Sequence, residues 1–289
     1  MSHAPSLPDC PSPSAFRVAL SRAIHQVLDE PRVFDDAFAL PILGADAAAR
    51  IDPFHHNGVA ARSMRAGIVA RSRFAEDRLQ AAIEAGTRQY ALLGAGLDTW
   101  ALRAARFGSE VRVFELDQAA MQAWKAAVLE ANGWRKPVGL EWVEQDLRHG
   151  TVPDALAGSG ADLSAPVAIA ILGVLVYLGE EDVTRLLSSL GRFAPGSTLV
   201  LDYRLQDELL PPMDRMMMRA TAEAMAAGGE PWRSSSDPDR MRALLSDAGF
   251  DVEQDLGPAD LNARYFDRRR DGLQIAGGGF RHLSAIKRR

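Results

Sequence analysis

Cysteine is almost missing from this 289-residue chain: Cys10 stands alone. One thiol can close no internal disulfide and build no cysteine-based metal site, and such a count fits a reducing compartment. No apolar run is long enough to span a bilayer. Positive charge is not in excess either. The formal net charge is −5, which argues against nucleic acid as a partner. The short clusters Arg268-Arg269-Arg270 and Lys287-Arg288-Arg289 read as solvated faces. Residues 1–14 hold proline and serine but no apolar segment of the kind a signal peptide needs. They are expected to form a disordered tail, and the expected location is the cytoplasm. What the chain does have is an apolar fraction of 47%, ample for a core. Its length suits one large domain or a domain with a lid.

The periodicity then divides the chain. Residues 15–28 carry a helical stripe (Phe16, Ala19, Leu20, Ile24, Val27, Leu28). A short helix is expected within 33–43, and a loop with His55 and His56 at 51–58. A long helix is expected from about 60 to 85, stopped by Gly86. From residue 88 strands and helices alternate: strands at 89–93, 111–116, 140–144, 167–172 and 198–203, with helices from 97, from 118 to 131 and from 181 to 190. That rhythm predicts an α/β fold, Rossmann-like, with a doubly wound and mostly parallel sheet. Segments 250–256 and 283–287 are expected to complete seven strands as an antiparallel pair. The rhythm breaks at 205–236, where a methionine- and alanine-rich helix ends at Gly228-Gly229. The expected organisation is a tail (1–14), a helical N-terminal lid segment (15–87) and a core (88–289) with a lid insertion at 205–236.

The chemistry concentrates at strand ends. Gln89-Tyr90-Ala91-Leu92-Leu93 climbs into Gly94-Ala95-Gly96-Leu97-Asp98-Thr99, a strand–turn–helix in which glycines let a ligand approach bare backbone. The third glycine of a dinucleotide fingerprint is missing, which argues against NAD. Asp117 ends the second strand, where a carboxylate can accept from both hydroxyls of a ribose. Asp146 ends the third, followed by Leu147 and Arg148. Two acidic strand ends beside a glycine turn suit S-adenosylmethionine better than NAD. Arg71 shares a helix face with Ile68 and Phe74 while Arg73 points away. An inward arginine needs an anion, and the cofactor's carboxylate is one candidate. Tyr177 follows strand four and Tyr203-Arg204 end strand five, so all three are candidate substrate contacts, as is Arg148. Tyr177 and His55 are the candidates for a proton-handling group. Asp98 and Thr99 are read as helix caps, and Met213, Met216, Met217 and Met218 as core filler or an adaptable apolar wall.

These residues carry a resemblance. Gly94-Ala95-Gly96-Leu97-Asp98-Thr99, Phe114-Glu115-Leu116-Asp117, Asp146-Leu147-Arg148 and Gly173-Val174-Leu175-Val176-Tyr177-Leu178 resemble successive motifs of the leucine carboxyl methyltransferase family. Arg71-Ser72-Arg73-Phe74-Ala75-Glu76-Asp77 resembles its R-x-R-F-x-x-D helix, and Arg264-Tyr265-Phe266 a late R-Y-F motif. The likeness runs in order over about residues 60–270. It implies a class I S-adenosylmethionine-dependent methyltransferase, similar to the bacterial branch that O-methylates small molecules of secondary metabolism. By that resemblance Arg71 holds the cofactor's carboxylate. Gly94, Ala95 and Gly96 line its methionine portion, Asp117 takes the ribose, and Asp146 with Leu147 takes the adenine. Two positions depart. Leu172 stands where the family usually has a glutamate that contacts the cofactor, and Trp100 stands where arginine is common. The implied partner is a small-molecule acceptor, a carboxylate or acidic hydroxyl, with no nucleic acid, membrane or metal involved and a homodimer left open. Two other readings stand beside it: an NAD-dependent oxidoreductase, and a binding protein that keeps the fold without turnover.

Overall fold

Strand β1 (Gln89–Leu93) is buried along its whole length, as a central strand covered on both faces must be. Around it the computed structural model, which describes residues 10–44, 51–52, 56–104 and 110–288, builds a seven-stranded sheet. The other strands are β2 (Arg112–Asp117), β3 (Leu140–Glu144), β4 (Ala168–Ile171), β5 (Thr198–Arg204), β6 (Phe250–Leu256) and β7 (Phe280–Lys287). Their order is β3-β2-β1-β4-β5-β7-β6. β1 pairs in parallel with β2 and β4, and these with β3 and β5. β7 runs antiparallel to both β5 and β6. The strand order reverses at β1 and β4, and in such sheets the ligand crevice lies at the carboxyl ends of those strands.

Helices cover both faces. α1 (Pro13–Leu28), α2 (Val59–Glu84), the short α3 (Trp100–Arg103) and α4 (Ala119–Ala131) lie on one. α5 (Val152–Gly158), α6 (Glu180–Ser189) and α8 (Pro238–Asp247) lie on the other. α7 (Pro212–Ala227) forms the helix of the 205–236 insertion and has no buried residue. α9 (Pro258–Tyr265) precedes β7. Alternation along the strands divides the core accordingly. Ala91, Leu93, Phe114, Leu116, Ile169 and Ile171 face α5, α6 and α8, whereas Tyr90, Leu92, Val113, Ala168 and Ala170 face α2 and Trp100.

Several local expectations change. Residues 10–14 do not form a free tail: Ser12 caps α1, and Ser12 and Ser14 both bond Glu230 across the molecule. Residues 1–9 lie outside the described ones. The helix expected within 33–43 reduces to one turn at Pro41–Leu43. The helix from 97 is described only as Trp100–Arg103. Trp100, one of the two departures, is buried edge-to-face against Tyr90 at 5.1 Å. An apolar anchor there replaces a charge. The two outlying motifs meet: the Tyr265 hydroxyl donates to Asp77 on α2 at 2.8 Å, and Phe266 packs with Val69 and Ala70 of the same helix.

One buried ion pair ties β2 to α4. Lys125 Nζ lies 2.8 Å from Glu115 Oε2 and also donates to the Asp98 carbonyl, while Trp142 Nε1 donates to the same carboxylate at 3.0 Å. Both charged side chains are almost wholly buried. Removing one partner leaves a bare charge in the core. Lys125→Met is therefore expected to lower the unfolding free energy by about 3–5 kcal/mol, measured by chemical denaturation. The double variant Glu115→Gln/Lys125→Met is expected to lose less than the single one.

Candidate active site

At the carboxyl edge of β1, β2, β4 and β5 lies a cavity of about 900 Å³, near the upper end of the ~300–1,000 Å³ usual for small-molecule sites. Its floor is the glycine turn. Gly94 and Gly96 have φ of 69° and 52°, values that a residue with a Cβ rarely adopts. The Gly94 and Ala95 amides donate to the Leu116 carbonyl at 2.8 and 3.2 Å, and the Gly96 amide donates to Asp117 Oδ2 at 2.6 Å. The turn after β1 is thus bonded directly to the end of β2. Asp117 Oδ1 accepts from the Gln118 amide at 2.8 Å. Burial raises the Asp117 pKa against the lowering effect of those two amides.

Gly94, Ala95, Gly96, Asp117, Asp146, Leu147, Arg148, Leu172, Arg71 and Tyr177 all line this one cavity, although they come from residues 71 to 177 of the chain. Asp146 sits at its rim in a bidentate pair with Arg148, Nη2 to Oδ2 at 2.6 Å. That guanidinium holds the Asp146 carboxyl down at about 2. Arg71 reaches in from α2 and pairs with Asp202 at 3.1 Å.

Two expected contacts are not brought together with these. Tyr203 is buried on the opposite face of β5, among Leu199, Leu201 and Phe250, and its hydroxyl donates to Asp255 at 2.9 Å. Strand alternation explains the correction: Asp202 and Tyr203 are adjacent, so only one of them can face the cavity, and it is Asp202. Arg204 pairs with Asp207 and stands over the Trp232 ring, outside the cavity lining. His55 lies outside the described residues. His56 is absent from the lining.

The cavity also has walls that the linear pattern did not reveal. α7 supplies Met217, Met218 and Met225, the segment after it supplies Glu230 and Trp232, and β7 supplies Phe280 and His282. Of the four methionines at 213–218, Met213 and Met216 instead point to solvent. Asp202 and His282 are register partners across β5 and β7. A polar residue on a predicted inner strand beside an inward arginine was the available signal for Asp202. Nothing in the spacing pointed to His282, because β7 begins three residues earlier than the apolar run suggests.

A model of leucine carboxyl methyltransferase matches residues 15–191, well over half of the chain. The chain belongs to the leucine carboxyl methyltransferase family. A Bacillus subtilis protein, "Putative S-adenosyl-L-methionine-dependent methyltransferase YktD", is 27% identical over 93% of this chain and 96% of its own length. A Mycolicibacterium paratuberculosis protein with the same description is 32% identical over 83% and 87%. Among solved structures, "a putative methyltransferase from Thermobifida fusca YX" superposes with a TM-score of 0.60 at 19% identity, covering 98% of this chain and 100% of that one. That likeness shows a shared fold. The oxidoreductase alternative finds no support in these matches.

The residues of this family member fit an adenosyl cofactor by their own chemistry. Main chain lies bare at the turn, a partly buried carboxylate stands beside it, and apolar Leu147 lies next to Asp146. Arg71 lines the same cavity with Nη1 on Asp202, and its guanidinium can pair with an anionic ligand group.

His282 gives this site a pH signature. It is fully buried beside Asp202, Arg71, Asp255 and Arg281, and burial pushes its pKa from 6.5 down to about 4. The folded protein therefore binds fewer protons than the unfolded chain between about pH 4 and 6.5, so this contribution to stability is complete above about 6.5 and is lost as pH falls toward 4. Relative to wild type, His282→Gln is expected to flatten unfolding free energy against pH in that window by up to about 3 kcal/mol, measured by urea titrations at stepped pH.

Proposed function

We propose that this protein transfers a methyl group from S-adenosyl-L-methionine to an oxygen of a small acceptor, a carboxylate or an acidic hydroxyl. The observation that carries this reading is a single cavity whose lining combines two kinds of chemistry. The glycine turn, Asp117, Asp146 and Leu147 line it together with Met217, Met218, Met225, Trp232 and Phe280. A flexible thioether wall adapts to an apolar body, and aromatic faces suit a flat one. A volume of about 900 Å³ suits a cofactor with a small molecule beside it.

When bound, the cofactor supplies an electrophilic methyl on a sulfonium. The protein's part is to hold and exclude. Asp117 would accept from the ribose, Asp146 and Leu147 would meet the adenine, and Arg71 would pair with the carboxylate. Gly94, Ala95 and Gly96 would line the methionine portion, with Leu172 beside it. Tyr177 and Arg148 would meet the acceptor. Arg17 of α1 lines the same cavity and would pair with an anionic acceptor. A carboxylate is ionised at neutral pH and needs no base; alignment of the two reacting heteroatoms then supplies much of the rate. α1, α2 and the 205–236 segment act as the lid. A single free thiol, Cys10, fits a reducing compartment such as the cytoplasm.

Methyl-tritiated S-adenosylmethionine and a panel of small aryl and alkyl carboxylic acids and phenols test the reading. Label is expected to appear in a base-labile ester or a base-stable ether. Label passed only to a peptide C-terminus would overturn it. For the cofactor end, Asp117→Ala is expected to weaken S-adenosylhomocysteine binding by about 1–3 kcal/mol in calorimetry while the thermal unfolding transition persists. Unchanged affinity removes Asp117 from the site.

A further inference from the structure

Arg71 is a cation held mostly away from water, its side chain 12% exposed. A buried charge is stable only when paired and hydrogen-bonded. Leu172 faces the cavity and packs against Phe74 and Val200. The carboxylate that pairs with Arg71 comes from the sheet. Asp202, on β5, directs Oδ2 to Arg71 Nη1 at 3.1 Å and accepts the Gly173 amide on Oδ1 at 2.5 Å. Its side chain is 2% exposed.

Three elements lock together at this point. Gly173 has φ of 69°, and a Cβ placed on it would stand 2.6 Å from Arg71 Nη1, so the turn after β4 leaves room for the guanidinium by having no side chain. Asp202 bonds that turn and the guanidinium at once. A guanidinium carries five donors in a fixed fork. One is recorded on Asp202, and Nε is buried with no hydrogen-bond partner among the described residues. The fork is held by that one prong, and Arg71 lines the wall of the cavity.

We propose that Asp202 is a positioning residue for Arg71. It fixes the plane of Arg71 so that the free donors meet the carboxylate of the cofactor's amino-acid end. The inference rests on the adenosyl reading of the cavity and goes beyond it, because it assigns discrimination for that charged end to a residue outside the family motifs quoted above. Its neighbour His282 is neutral at pH 7, so Arg71 and Asp202 set the local charge between them.

Calorimetry on the full chain with two ligands tests this. S-adenosylhomocysteine carries the amino-acid end; 5′-methylthioadenosine keeps the adenosine and the thioether but lacks that end. Asp202→Asn is expected to weaken S-adenosylhomocysteine at least tenfold and to leave 5′-methylthioadenosine within twofold, which also reports an intact fold. Arg71→Gln is expected to do the same, and Arg71→Gln/Asp202→Asn to lose no more than Arg71→Gln alone, since residues acting as a unit are not additive. If Asp202→Asn does not fold, Asp202→Glu, which keeps the charge and shifts it by one methylene, is read by the same two-ligand comparison. Equal losses for both ligands, or none for either, overturn the inference alone. A wild-type protein that binds neither ligand removes the adenosyl reading, and this inference with it.

Discussion

A single carboxylate holds together the two strand ends on which the cavity is built. Asp117 takes the Gly96 amide of the β1 turn on one oxygen and the Gln118 amide on the other, while the Leu116 carbonyl takes the amides of Gly94 and Ala95. The bend at 94–96 therefore exists in its open, left-handed form because the end of β2 supplies its acceptors. Without them a turn with two residues at positive φ would leave its amides unpaired, at a cost of about 1–3 kcal/mol each. Every other feature of the site is arranged around this floor.

The charged groups along the edge are already matched before any ligand is considered. Arg71 has Asp202, Asp146 has Arg148, and Glu230 has the hydroxyls of Ser12 and Ser14 together with the Ser14 amide. A ligand entering here exchanges partners rather than filling empty valences, so its net gain per contact is modest. Among the described residues, the lining side chains with a buried nitrogen that has no partner are Arg17, Arg22, Arg71, Trp232 and His282. Three of these side chains are arginines, which gives the cavity a preference for anionic groups. The Glu230 contact also joins the start of α1 to the segment after α7, closing the chain over the cavity from both sides.

Much of the framework was readable from alternation alone. β1, β3 and β6 have the bounds that their apolar runs suggest, because strands buried on one or both faces must write their period into the sequence. The inward turn of Arg71 followed from its spacing to Phe74, which is fully buried. Period two, applied strictly along β5, would also have separated Asp202 from Tyr203; strand-end position by itself was too coarse. α5 escaped because seven residues with a proline at the start and a glycine at the end carry too little periodicity. The wall from β7 could not be read at all. Which strand lies beside β5 is decided by tertiary pairing, and His282 becomes a neighbour of Asp202 only once β7 inserts between β5 and β6.

The central claim is that the β1 turn and the ends of β2 and β3 grip an adenosyl nucleoside. A crystal structure of the chain grown with S-adenosylhomocysteine tests it most directly. The account requires a ribose hydroxyl within about 2.7–3.2 Å of an Asp117 oxygen and the adenine ring against Leu147 beside Asp146. A nucleoside seated elsewhere, with Asp117 still bonded only to Gly96 and Gln118, would contradict it.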